Sequence, residues 1–147
     1  MTEATEAARA AAISRFRWID GHADVWRLAE DAETFATVVR GLADLAAQFE
    51  PDAIAGIETR GVLFGAPTAY ALGLGFHTLR KGDGLFAGAS VAVEAEPDYR
   101  DRRHTLRSRR AFRPGARVVL IDDWIERGSQ ARAARSLLEG AGAEFAG

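Results

Sequence analysis

No cysteine occurs in these 147 residues, which removes disulfides, zinc–thiolate centres and thiol nucleophiles together. Lysine is almost as scarce: of the 19 basic residues only Lys81 is lysine and 18 are arginine. Positive charge is not in excess, since 21 acids leave a formal net charge of −2. That balance excludes a uniformly basic nucleic-acid binder. No apolar run approaches the ~20 residues of a membrane-spanning helix. The opening MTEATEAARAAAISRF lacks the basic start and apolar centre of a signal peptide. A soluble cytoplasmic protein is the expectation, without membrane or nucleic-acid partners. With 48% hydrophobic and 27% charged residues, the chain suits one globular domain with a substantial core.

What is present is an alternation of strand and helix patterns. The first dozen residues, rich in Ala and Glu, read as a frayed or docking helix. From Asp31 onward Phe35, Val38, Val39, Leu42, Leu45, Ala46 and Phe49 recur at helical spacing and stop before Pro51. Ala53 to Ile57 is a short apolar strand, Gly61 to Leu72 a helix, and Gly75 to Arg80 a second strand. Residues 91–93 form a short strand at most, and the arginines between 100 and 113 read as a solvated surface or a loop. Val118 to Ile121 and Ser129 to Glu139 repeat the strand–helix pattern, and Glu144 to Ala146 begins an edge strand, short or paired with another subunit. Such an order predicts a parallel α/β sheet whose ligands bind beyond the carboxyl ends of the strands. Glu58 to Gly61, Arg80 to Gly84 and Asp122 to Gln130 all fall at such ends.

The most informative stretch is VVLIDDWIERGSQ, Val118 to Gln130. A buried strand runs into two adjacent carboxylates, and unpaired burial would cost each several kcal/mol by order of magnitude. Asp122 and Asp123 therefore belong at the strand exit, with partners. After them, Gly128, Ser129 and Gln130 open a helix whose free N–H groups favour an anion. A diol or metal at the acids and a phosphate at the loop suggest a phosphorylated sugar. The plainer alternative, an acid pair that only ends a strand and caps a helix, is also open.

This segment resembles the phosphoribosyl-pyrophosphate signature of type I phosphoribosyltransferases. IAGIETRGVLFGAPTAYALGLGFHTLRK, Ile54 to Lys81, is similar to the adenine phosphoribosyltransferase branch, with its Gly-Ile-Glu-x-Arg-Gly segment and later Arg-Lys pair. The resemblance implies a single domain over residues 1–147: an α/β, parallel-sheet core at 31–80 and 117–147, a flexible hood at 81–116, and a short C-terminal end. It implies transfer of a phosphoribosyl group from phosphoribosyl pyrophosphate to an adenine-like purine, with release of pyrophosphate. Mg²⁺ would be carried by the substrate and not held by a dedicated protein site, and the protein would be a homodimer.

In this reading Asp98, Asp122 and Asp123 are catalytic. Asp98, before Tyr99, stands where the family has a Glu-Tyr pair in the hood. Glu58, Thr59, Arg60, Arg80, Lys81, Glu126, Arg127, Gly128, Ser129 and Gln130 bind substrate, and a cis or otherwise strained peptide joins Glu58 to Thr59. The sequence also departs from the family. Arg127 and Gln130 stand where hydroxyls are usual, His22, Ala23 and Asp24 replace a Phe-Arg-Asp segment, and the family continues beyond AEFAG. These departures keep a second reading in view, a non-catalytic sensor of phosphoribosyl pyrophosphate or a nucleotide on the same fold.

Overall fold

The computed structural model describes residues 2–82, 86–95, 103, 105–109, 112–125 and 127–147. They fall into two compact units that divide between Gln48 and Phe49.

The first unit is helical with one hairpin. Helix α1 (Glu3–Arg15) is capped by Thr2, whose hydroxyl accepts from the Thr5 amide. Strands β1 (Arg17–Ile19) and β2 (His22–Asp24) pair antiparallel, and α2 (Arg27–Glu30) leads to α3 (Ala32–Ala47). Asp31 caps α3 by accepting from the Thr34 amide at 2.9 Å and its hydroxyl at 2.6 Å. Both hydrogen bonds favour the carboxylate and hold its pKa below the ordinary value. Helix α3 buries Val38, Val39 and Ala46 of the expected stripe together with Ala43, whereas Leu45 and Phe49, which the spacing places on it, are exposed. Gly41 lets α1 approach: a Cβ there would lie 2.2 Å from Ala8 Cβ. The β1–β2 hairpin was not legible in the sequence, because its residues are mostly exposed and carry no apolar alternation.

The second unit carries a six-stranded sheet. Strands β3 (Ala53–Ile57), β4 (Gly75–Lys81), β7 (Arg117–Ile121) and β8 (Glu144–Phe145) run parallel, whereas β5 (Ser90–Glu94) and β6 (Thr105–Arg109) join antiparallel beside β4. The spatial order is β5-β6-β4-β3-β7-β8. Helix α4 (Arg60–Leu72) connects β3 to β4, and α5 (Ser129–Gly140) connects β7 to β8. Period-two alternation assigns the faces. Ala53, Ala55, Ile57, Leu79 and Val118 pack with Ala133, Ala134, Leu137 and Leu138 of α5, while Gly56 and Phe76 face Gly61 and Gly65 of α4.

The arginine-rich stretch contains a strand, although its run of charge reads as surface or loop. In β6, Leu106 and Ser108 are buried while Arg107 and Arg109 lie on the other side. The alternation Thr-Leu-Arg-Ser-Arg was its signal. At the far edge, the Ala146 amide donates to Val118 O and the Leu120 amide to Gly147 O, at 2.9 and 2.8 Å. Arg117 fixes this edge through the Phe49 carbonyl and Glu144.

Close approach of α4 to the strands requires glycine. A Cβ on Gly56 would sit 2.4 Å from Gly61 O, a backbone atom with nowhere to go. Gly56→Ala is expected to lower stability by about 1–3 kcal/mol, the usual cost of overpacking, measured as the urea midpoint at unchanged m-value.

Candidate functional site

Three strand exits of the second unit, with the helix starts that follow two of them, supply the polar groups. Strand β7 delivers Asp122 and Asp123. The Asp122 Oδ1 accepts from the Asp123 amide at 3.0 Å, so the first acid fixes the turn that leaves the sheet. Asp123 is deeply set, with 7% of its side chain exposed, and its Oδ2 lies 2.9 Å from Arg60 Nε. This contact is an ion pair by distance only. Oδ2 is buried and receives no hydrogen bond, so it retains an unused acceptor. Arg60 comes from the first turn of α4, and Gly61 admits that turn: a Cβ on Gly61 would lie 3.0 Å from Asp122 Oδ1 and from Ile121 O.

Burial is the main cause that pushes the Asp122 carboxyl up to about 7, and the charge of Asp123 adds to it, while Lys81 opposes it. Lys81, at the end of β4, therefore acts electrostatically on Asp122. The Lys81 amide donates to Glu58 Oε2 at 2.9 Å, and Arg80 Nε lies 3.6 Å from the same oxygen. The Arg80 guanidinium also stands over the Phe86 ring. The Glu58–Thr59 peptide is cis, as the resemblance implied, and Thr59 occupies the N-cap position of α4 without a side-chain cap bond.

Helix α5 starts from Gly128, which has φ +73° and caps without a side-chain hydrogen bond. Ser129 is buried and begins the helix. The Arg132 guanidinium donates to Arg127 O at 3.0 Å and so pins the loop from inside the helix, while the Arg127 side chain is exposed. The amides of the first helical turn, Ser129 and Gln130 among them, have no intrahelical acceptor, which leaves an anion-binding end.

The structure thus links Arg60 with Asp123, Lys81 with Asp122, and Glu58 with Arg80 and Lys81. Asp98, Glu126, Asp83 and Gly84 lie outside the described residues. His22, Ala23 and Asp24 belong to the first unit, where Asp24 pairs with Arg27 at 3.0 Å. Sequence reasoning gave no role to Gly56, and its signal was a glycine inside an otherwise apolar strand. Among the described residues no group of three or more His, Asp or Glu side chains is placed to hold a metal ion, and no helix is long and apolar enough to cross a membrane.

Residues 30–147 match the family model described as the phosphoribosyl transferase domain. The chain belongs to that family. It is 42% identical over 123 residues to the adenine phosphoribosyltransferase of Sphingopyxis alaskensis, covering 84% of this chain and 66% of that protein. The crystal structure of adenine phosphoribosyltransferase from Thermoanaerobacter pseudethanolicus superposes with a TM-score of 0.82 at 32% identity, covering 91% of this chain and 81% of the other. The Saccharomyces cerevisiae enzyme, complexed with an imino-altritol bisphosphate and adenine, gives a TM-score of 0.81 at 25% identity, covering 95% and 84%. The type I phosphoribosyltransferase fold expected from the sequence is the fold observed, with the antiparallel β5 and β6 added to the parallel core.

The raised Asp122 pKa fixes the sign of a pH effect. Between its ordinary value of 3.8 and about 7, the folded protein keeps a proton that the unfolded chain releases, so this group removes stability as pH rises through that window. Asp122→Asn, which still offers an oxygen to the Asp123 amide, is expected to raise the melting temperature by several degrees at pH 8. At pH 3.5 the gain should vanish. A constant difference at both pH values would contradict the assignment.

Proposed function

We propose that this domain transfers a phosphoribosyl group from phosphoribosyl pyrophosphate to adenine or a closely similar purine, releasing pyrophosphate, as a purine-salvage enzyme of nucleotide metabolism. The observation that carries this reading is the exit of β7. There two adjacent acids, one with a free buried acceptor, meet the cations Arg60 and Lys81 in a family whose relatives are adenine phosphoribosyltransferases. The chain spans about two thirds of the length of those curated relatives, 66% and 70% for two of them.

The chemistry follows from charge. Leaving pyrophosphate makes the ribose C1 electron-poor, and carboxylates held at the ribose hydroxyls stabilise positive charge where it develops. Asp123, paired with Arg60, and Asp122, once its proton is lost, supply the carboxylates that accept from the hydroxyls. Arg60, Arg80 and Lys81 neutralise the diphosphate. The loop through Glu126, Arg127, Gly128, Ser129 and Gln130 takes the 5′-phosphate on its amides, and Thr59 lies at the turn that faces the diphosphate. Asp98 moves a proton on the purine. C1 inverts as the purine nitrogen bonds to it and the bond to the diphosphate oxygen breaks.

The donor set fits a magnesium ion that arrives on the sugar diphosphate. Such an ion keeps several waters and takes one or two carboxylates plus substrate oxygens, and the strand exit offers an acid pair in place of a cage. When bound it would supply charge neutralisation for the leaving group. We further propose a cytoplasmic homodimer, in line with the resemblance.

The alternative of a non-catalytic sensor keeps the same binding groups. Its discriminating feature would be binding without turnover, and the named relatives are enzymes. Incubation with phosphoribosyl pyrophosphate, Mg²⁺ and each purine base should release pyrophosphate fastest with adenine. The pair Asp122→Asn and Asp123→Asn together should abolish release while the circular dichroism spectrum stays parental, each decade of loss corresponding to about 1.4 kcal/mol of transition-state stabilisation. Near-parental turnover in the double variant would remove the ribose-binding role from these acids.

Arg127 tests the altered loop separately. Because its side chain is exposed, Arg127→Thr should change affinity for phosphoribosyl pyrophosphate by less than roughly threefold, within the ~1 kcal/mol typical of an exposed charge. A large loss in calorimetric titration would mean that Arg127 closes onto the phosphate. A large gain would mean that it blocks the site.

A further inference from the structure

Glu58 is a strand-end carboxylate whose partners among the described residues lie on the neighbouring strand. Its amide donates to Leu79 O at 2.9 Å, which continues the parallel β3–β4 ladder one step past the Ile57 and Leu79 pairing. A parallel ladder would next send the Lys81 amide to the backbone carbonyl of Glu58. The amide goes instead to the Glu58 side chain, Oε2 at 2.9 Å. The carboxylate has taken the place of a main-chain acceptor where β3 ends and β4 runs on. On its other side β4 is held by β6 through Arg80 and Lys81, opposite Arg107 and Leu106. The Lys81 backbone is therefore clamped from both edges, so its side chain starts from a fixed point at the end of β4.

We propose that Glu58 is a positioning residue: by accepting from the Lys81 amide it fixes the backbone that aims the chain's only lysine at the sugar diphosphate. The inference rests on the function proposed above and assigns to one side chain the geometry of its diphosphate subsite. The hydrogen bond, not the ion pair, carries the effect. Arg80 Nε is 3.6 Å from Oε2 and both side chains are about one-third exposed, so solvent screens that pair. The amide contact is short and charge-assisted.

Two variants separate the contributions. Glu58→Gln keeps an oxygen for the amide and loses the charge toward Arg80, whereas Glu58→Ala loses both. Lys81 being the only lysine, protein labelled with ¹⁵N-lysine gives one backbone amide signal, which reads the contact without any activity. The expected result is a downfield amide proton in the parent and in Glu58→Gln that moves upfield in Glu58→Ala. In parallel, calorimetric affinity for phosphoribosyl pyrophosphate with Mg²⁺ should fall at least about tenfold in Glu58→Ala and no more than roughly threefold in Glu58→Gln.

An Ala variant that loses affinity while its Lys81 signal stays in place would show Glu58 touching the ligand directly and overturn the proposal. So would a shifted signal with unchanged affinity. If Glu58→Ala does not fold, Glu58→Gln decides alone: retention of both signal and affinity supports the positioning role, and a tenfold loss with the signal unmoved refutes it. A parental protein that binds no phosphoribosyl pyrophosphate overturns the proposed function and this inference together, while the signal still reports whether Glu58 holds Lys81.

Discussion

The start of α4 stands so close to the end of β7 that a methyl group on Gly61 would lie 3.0 Å from both the Ile121 carbonyl and an Asp122 oxygen. Much of the site follows from that contact. It carries the Arg60 guanidinium to a carboxylate that is otherwise enclosed by protein. A buried acid without a cation nearby would be costly, and an Arg60 set back by the width of a side chain would leave it so. Gly56 imposes the same closeness from the β3 side, where Gly61 O occupies the space of its missing Cβ. Two glycines and two acids therefore form one packing unit, and neither pair is independent of the other.

The electrostatic arrangement is asymmetric in a useful way. Asp123 faces Arg60 directly, whereas Asp122 is opposed by burial and by its neighbour's charge and relieved by the Asp123 amide and, more weakly, by Lys81. The Asp122 carboxyl is thus held up to about 7, chiefly by burial. An acid near neutrality changes its charge as the charge around it changes. In the proposed reaction, a sugar ring that becomes positive would favour the ionised form of Asp122. Such a response requires enclosure, and the buried exit of β7 provides it.

Most of the sheet was legible because its strands are apolar and bounded by turn residues. Ala53 to Ile57 is a strand with the limits that its composition suggests, and the helix before Pro51 buries Val38, Val39 and Ala46 as its spacing requires. The place of the acid pair was legible because two carboxylates after such a strand must leave the core or find partners, as Asp123 does with Arg60. What stayed hidden depended on partners distant in sequence. Strand β6 alternates in only five residues and is dominated by arginine, so its buried Leu106 and Ser108 emerge only beside β5 and β4. The bond from the Lys81 amide to Glu58 spans 23 positions, and no local pattern records it. Composition gave the residues of the site, but pairing between strands gave their contacts.

The altered phosphate loop shows which parts of such a site sequence change can reach. Side-chain hydroxyls are replaced here by Arg127 and Gln130, yet the backbone turn survives because Gly128 takes a left-handed conformation that suits glycine. The first amides of α5 are donors whatever side chains they carry, and the helix field adds to them over the first turn. Arg132, one turn further on, holds the Arg127 carbonyl from within the helix, so the loop is braced by a residue outside the signature. The anion recognition proposed for this end would rest on the main chain and so would tolerate substitution. The ribose recognition proposed for Asp122 and Asp123 would have no such reserve, because it would depend on two side chains whose carboxylates the backbone cannot replace.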